Sequence, residues 1–175
     1  MRKLNILVTL SIILGLSSSV YAISLSESGV EGLEKRTTFK EITIKRVFPK
    51  FKAKEESVGG EQVIKVKKFT KVYLILHPDK NNKYIEIVEV VHKNVKNKLA
   101  MKIDDKYGEV IDKKKHKCVP GEEAESGKVI CWNKKERKPK FKFLFSGSWS
   151  GPDGKIPPKM VLKRWKVEKI IWYKK

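Results

Sequence analysis

Cysteine, histidine, glutamine and alanine are all scarce in this chain of 175 residues: two Cys, three His, one Gln (Gln62) and four Ala. So few Cys and His, at no ligand spacing, exclude a zinc-type metal framework, and no metal or cofactor is expected. Acids are outnumbered two to one, 20 against 40 bases. They are scattered, so no carboxylate pair for acid–base catalysis stands out. Phosphate loops, dinucleotide fingerprints and the His-Glu-x-x-His motif are absent. Gly147-Ser148-Trp149-Ser150-Gly151 only superficially resembles a serine-nucleophile elbow, because Trp149 stands where the serine should be and no helix signal follows. The sequence therefore reads as non-enzymatic.

Long apolar runs are missing too, except at the start. Arg2 and Lys3 precede an apolar core over Leu4 to Leu16, and Val20-Tyr21-Ala22 closes it with small residues. This pattern is that of a secretory signal peptide over residues 1–22, cleaved after Ala22. The run is short of the roughly 20 residues a membrane helix needs, and no later stretch is apolar enough. The expected location is periplasmic or secreted.

What the chain has in abundance is lysine. Only five of its bases are Arg, and the formal net charge is +20. Such a charge bears on partners and solubility rather than on fold. The competing account is a solvated lysine surface set by composition alone.

Val72, Leu74 and Leu76 alternate with Tyr73 and Ile75, and Ile85 to Val91 follows after a Pro78-Asp79-Lys80-Asn81-Asn82 turn cluster. This predicts a hairpin over Lys71 to His92, central and covered on both faces. Residues 23–36 carry no sustained period and read as a flexible N-terminal arm. Residues 37–175 form the expected domain. Within it, strands are predicted over Thr37–Phe48, Gln62–Phe69, Lys98–Ile103, Glu109–Ile111, Phe141–Phe145 and Met160–Tyr173, with a charged loop over Lys50–Gly60. The buried side of the last strand switches near Lys169, which predicts a bulge. Cys118 and Cys131 flank a turn-rich acidic loop in an exported chain and should form a disulfide. These elements predict an all-β fold: a single-domain antiparallel β-sandwich of eight or nine strands with one disulfide. The Tyr107-Gly108 turn and the terminal Trp165-Lys166-Val167-Glu168 strand resemble immunoglobulin-like modules of bacterial envelope proteins, a resemblance that implies a scaffold and no activity.

His77 and His92 end the two strands of the hairpin and should lie far apart, which argues for structural roles; His116 sits in a basic run. The candidate binding residues are Lys113, Lys114 and Lys115, before Cys118, and Lys134, Lys135, Arg137, Lys138 and Lys140, after Trp132. Bases with interleaved aromatics, here and at Lys163-Arg164-Trp165-Lys166, suit a polyanion. Export favours an anionic envelope polymer or an acidic protein partner over nucleic acid. The alternatives are a structural subunit that assembles by strand addition, or a secreted enzyme inhibitor that inserts its acidic disulfide loop.

Overall fold

The computed structural model describes residues 22–174; the signal-peptide reading of residues 1–22 falls outside them except for Ala22. In chain order the elements are β1 (Ser24–Ser26), β2 (Gly29–Val30), α1 (Glu41–Val47), β3 (Lys52–Val58), β4 (Glu61–Lys68), β5 (Lys71–Pro78), β6 (Ile85–Val90), β7 (Lys96–Asn97), α2 (Tyr107–Val110), β8 (His116–Pro120), β9 (Val129–Asn133), β10 (Phe141–Ser146), α3 (Lys159–Leu162) and β11 (Lys166–Tyr173). A 3-10 turn at Glu123–Glu125 lies between β8 and β9.

The fold is all-β, as the alternating patterns predict. Eight strands form one antiparallel sheet in the order β3-β4-β5-β6-β11-β10-β9-β8, and β2-β1-β7 form a small second sheet. The register places one row of inward side chains across all eight strands: Ala53, Val66, Leu74, Val90, Ile170, Phe143, Cys131 and Cys118. The row ends in the disulfide, which forms as the cysteine pair predicts. The small sheet and α1 join this face in a single core, through Leu25, Val30, Ile44 and Phe48. Gly29 is what lets them approach: a Cβ there would lie 2.0 Å from the Trp172 ring. The stretch read as a flexible arm is thus part of the core, because Ile23, Leu25, Val30 and Leu33 are all buried.

Five local readings are corrected. The strand expected over Thr37–Phe48 is helix α1. Ile44, Val47 and Phe48 fall on one helical face, whereas the alternating partner Ile42 is 56% exposed. The expected charged loop Lys50–Gly60 is edge strand β3, in which only Ala53 is buried; charged residues are common on such edges. The strand expected over Lys98–Ile103 is a turn. The Asn97 side chain organises it, accepting the Leu99 N–H at 2.7 Å and donating to the Met101 carbonyl at 2.9 Å. Tyr107-Gly108 opens helix α2 rather than a turn into a strand. Residues 159–162 form α3, so the last strand begins at Lys166.

The central hairpin is β5–β6, in the middle of the sheet, with Asp79 accepting the Lys83 N–H at 2.8 Å across its turn. Its inward face, Leu74 and Leu76, is fully buried, but Ile75 on the other face is only half-buried, between Lys65 and Glu89 of the neighbouring strands. Tyr73 is the extra residue at an irregularity between β4 and β5 and packs against the core. The predicted bulge is present. Leu144 pairs with Lys169 and Phe145 with Val167, which leaves Glu168 as the extra residue.

Candidate binding surface at the disulfide hairpin

β8 and β9 form a hairpin at the end of the sheet, and the register sets what meets at its open end. His116 faces Asn133 and Lys117 faces Trp132. One step further, the Lys134 N–H donates to the Lys115 carbonyl at 2.9 Å. The two basic runs singled out in the sequence are therefore joined by backbone pairing. Each is shaped by a side-chain turn: Asp112 accepts the Lys114 N–H at 2.8 Å, and Asn133 accepts the Lys135 N–H at 3.1 Å.

Lys113, Lys114, Lys115, Lys134, Lys135, Arg137 and Lys138 are exposed. Among the described residues, no carboxylate lies within 4 Å of Lys113, Lys114, Lys115, Lys134, Lys135 or Arg137. Lys140 departs from the group. It is half-buried, with its Nζ on the Glu27 carbonyl at 2.6 Å and its N–H on Glu136 at 2.8 Å, so it ties the segment to the β1–β2 turn. The acidic turn with Glu122, Glu123 and Glu125 closes the opposite end of the hairpin, away from the lysines.

The aromatics near these runs divide. Trp132 is half-buried on the outer face, with the ammonium groups of Lys117 and Lys142 at 5.6 and 5.8 Å from its ring. Trp165 is buried, 3% exposed, so the Lys163–Lys166 stretch offers no stacking surface.

A cavity of about 300 Å³ lies beside the disulfide. Its walls come from two distant parts of the chain: Ile111 after α2 on one side, and Ile156, Pro157 and Leu162, leading into and within α3, on the other. Lys113 and Lys159 also line it, as do His116 and Cys118 of β8. Tyr107 closes the inner side, its hydroxyl donating to Cys118 Sγ at 3.6 Å and its ring edge-on to Phe145 at 5.1 Å. Burial raises the Tyr107 pKa, which keeps the phenol protonated as that donor. Of this cavity, sequence reasoning singled out Lys113 and His116 within the basic run and Cys118 as half of the disulfide, but not the apolar walls. An exposed Ile156 followed by two prolines was the one available signal for the rest.

The outer face of the sheet carries a line of charges running from β4 to the β8–β9 turn. His77 lies 3.8 Å from Glu61 and 3.6 Å from Glu89; Lys169 bridges Glu89 at 2.9 Å and Glu125 at 2.8 Å; Lys128 continues from Glu125 at 3.0 Å to Glu168 at 3.3 Å. At 3.6 Å the His77 Nε2 contact is longer than a hydrogen bond, and Nε2 is buried without a bonding partner among the described residues. Burial would raise the Glu89 pKa, but His77 and Lys169 outweigh it and hold the carboxyl below its ordinary range. Burial would likewise lower Lys169, and Glu125 with Glu89 reverse that to a net rise. Glu125 is thereby turned back onto the sheet.

His77 and His92 sit at opposite ends of the hairpin, as their spacing predicts. The His92 ring stacks on Tyr73 at 4.2 Å, and its Nδ1 accepts the Asn94 N–H at 3.1 Å. His116 Nδ1 lies 3.1 Å from both the amide nitrogen and the carbonyl oxygen of Asp112. Among the described residues no group of three or more His, Cys, Asp or Glu could hold a metal ion, and no helix is long and apolar enough to cross a membrane.

Fold and surface together define a class: an all-β, disulfide-bonded protein built on an open eight-stranded sheet with one basic end. The chain belongs to the family described as protein of unknown function (DUF1131), whose model matches residues 15–174. It is similar to the uncharacterized protein YfeY of Escherichia coli K12, 27% identical over 153 residues that cover 85% of this chain and 78% of the relative. The crystal structure of YfeY from Escherichia coli matches with a TM-score of 0.66 at 25% identity, covering 87% of this chain and 99% of that one.

Proposed function

We propose that the protein is an exported, non-enzymatic binding module of the cell envelope, which attaches through its basic end to an anionic envelope polymer or an acidic partner. The observation that carries this reading is the Lys134-to-Lys115 backbone bond, which gathers two runs of exposed bases at one end of the sheet. The disulfide accords with an oxidising compartment, and the leader-like residues 1–22 with export. Binding would be electrostatic and steep in salt.

The test is the affinity of residues 23–175 for soluble anionic polymers, polyglutamate and an acidic glycan, across a salt series. Steep weakening with added salt, and further weakening when Lys134, Lys135 and Lys138 are changed to Glu, is the expected result. Affinity that is flat with salt refutes it. The inhibitor reading is disfavoured by Glu125, which is held against Lys128 and Lys169 instead of being free to insert.

A further inference from the structure

The last strand of the sheet, β8, leaves part of its backbone unpaired. Hydrogen-bonded pairs alternate along an antiparallel ladder. The Lys134 N–H bonds the Lys115 carbonyl and the Gly121 N–H bonds the Lys128 carbonyl, so residues 115, 117, 119 and 121 face β9. His116, Cys118 and Pro120 therefore face away from the sheet. The His116 N–H is taken by the Asp112 carbonyl at 2.7 Å, and Pro120 has none. Among the described residues one outward donor remains, the Cys118 N–H, with carbonyl acceptors on either side. The other end of the sheet differs at its middle: at β3 the Glu41 side chain of α1 accepts the outward Glu55 N–H at 2.7 Å.

The open edge and the cavity are the same place, since His116 and Cys118 line both. We propose that β8 docks a short, extended, acidic segment of a partner protein, which adds as a strand beside Cys118 and seats one apolar side chain in the cavity. Strand addition supplies affinity through main-chain bonds and specificity through pockets for alternate side chains. Side chains alternate across a strand. When one residue enters between Ile156 and Leu162, its immediate neighbours face the outer side, where Lys117 lies over Trp132. Lys113 and Lys159 line the cavity around that residue. The surface thus matches a segment with an apolar centre and acidic flanks. Pro120 and the Asp112 bond limit the added strand to about three residues. This inference rests on the reading of a basic binding module and narrows its partner.

The test uses residues 23–175 and nine-residue peptides with acidic flanks, whose central residue is Ala, Val, Leu or Phe. Polyglutamate and decanoate serve as comparison ligands. Binding is measured by titration calorimetry, and exchange of the Cys118 amide by NMR. Leu or Phe at the centre should bind about tenfold tighter than Ala, a difference of the size expected for burying one apolar side chain. Ile156→Ser should erase that preference, and the bound peptide should slow Cys118 amide exchange. Ile156 is 40% exposed, so this variant keeps its fold. Polyglutamate binding as tightly as every peptide, with Cys118 unprotected, would overturn the docking edge and leave the electrostatic reading intact. Decanoate filling the cavity while no peptide prefers an apolar centre would also overturn it, in favour of a site for anionic amphiphiles. No binding by polyglutamate or any peptide at low salt would overturn both readings.

Discussion

Replacing Lys174 by Met should stabilise the protein, although it removes a charge from a strongly charged chain. Lys174 follows β11, and its N–H donates to the Glu86 carbonyl at 2.8 Å. Its ammonium nitrogen is buried and has no hydrogen-bond partner among the described residues. Burial lowers its pKa from 10.5 to about 8. A shift of that size corresponds to about 3 kcal/mol of destabilisation while both states are protonated. The side chain is only half-buried, so solvent screening reduces the expected gain to roughly 1–2 kcal/mol. The sign follows from proton binding. Below pH 8 the amine is charged in both states and the cost is full. Between about 8 and 10.5 the folded state releases its proton first, so wild-type stability rises with pH and the variant's advantage shrinks. Above 10.5 the amine is neutral in both states and the electrostatic advantage is gone. Urea unfolding of both proteins, followed by tryptophan fluorescence at pH 7 and pH 10.5, measures the difference at each pH. A variant that is less stable at pH 7, or whose advantage does not change with pH, would refute the reasoning.

Three further outcomes follow from the same structure. Lys169→Met should cost about 3 kcal/mol, because it strands Glu89 and Glu125 on the sheet face; adding Glu89→Leu should recover part of that loss, as denaturant midpoints would show. The Glu89 pairing contributes stability above pH 4.5 that disappears as pH falls through its depressed folded value, and the raised Lys169 contributes stability that disappears above 10.5; Glu89→Gln should therefore flatten the acid limb of a stability-versus-pH curve. Replacing both cysteines by Ser should cost about 3 kcal/mol, from the loop-closure entropy of 13 residues, read as a lower midpoint in urea.

The parts of the fold legible in the sequence are those where burial follows one local period. Phe141, Phe143 and Phe145 alternate toward the core, although Leu144 between them is buried as well, and the β5–β6 hairpin brackets a Pro/Asp/Asn turn. The change of buried side near Lys169 was legible for the same reason, and the cysteine pair because only two cysteines are present in an export-type chain. Where two periods competed, the shorter pattern misled. Ile42 and Ile44 suggested a strand, but a helix turns Ile44, Val47 and Phe48 together toward the core at the cost of exposing Ile42. Strand β3 was hidden for the opposite reason: an edge strand pairs on one side and buries almost nothing, so it leaves no apolar signature. The binding surface divides in a similar way. Its lysine runs were visible as composition, but their meeting depends on the β8–β9 register, and the cavity draws Ile111 together with Ile156 and Leu162 from across some fifty positions of chain.

Lysine is common everywhere in this chain, so the question is whether the basic end acts as a site or only as part of a positive surface. Distance separates the two. β3 and β8 end opposite edges of the sheet, and seven interstrand steps of about 4.8 Å put them roughly 34 Å apart along it. Charges at the β3 edge are therefore more than three Debye lengths, each about 10 Å at 0.1 M salt, from a ligand held at β8. Lys52→Glu with Lys54→Glu changes the net charge by as much as Lys134→Glu with Lys135→Glu, and all four side chains are exposed. At 0.1 M salt the pair at the basic end should weaken polyglutamate binding about tenfold, and the far pair less than twofold. Equal losses from the two pairs would mean that affinity follows net charge alone, and the convergence of Lys115 and Lys134 would then carry no function.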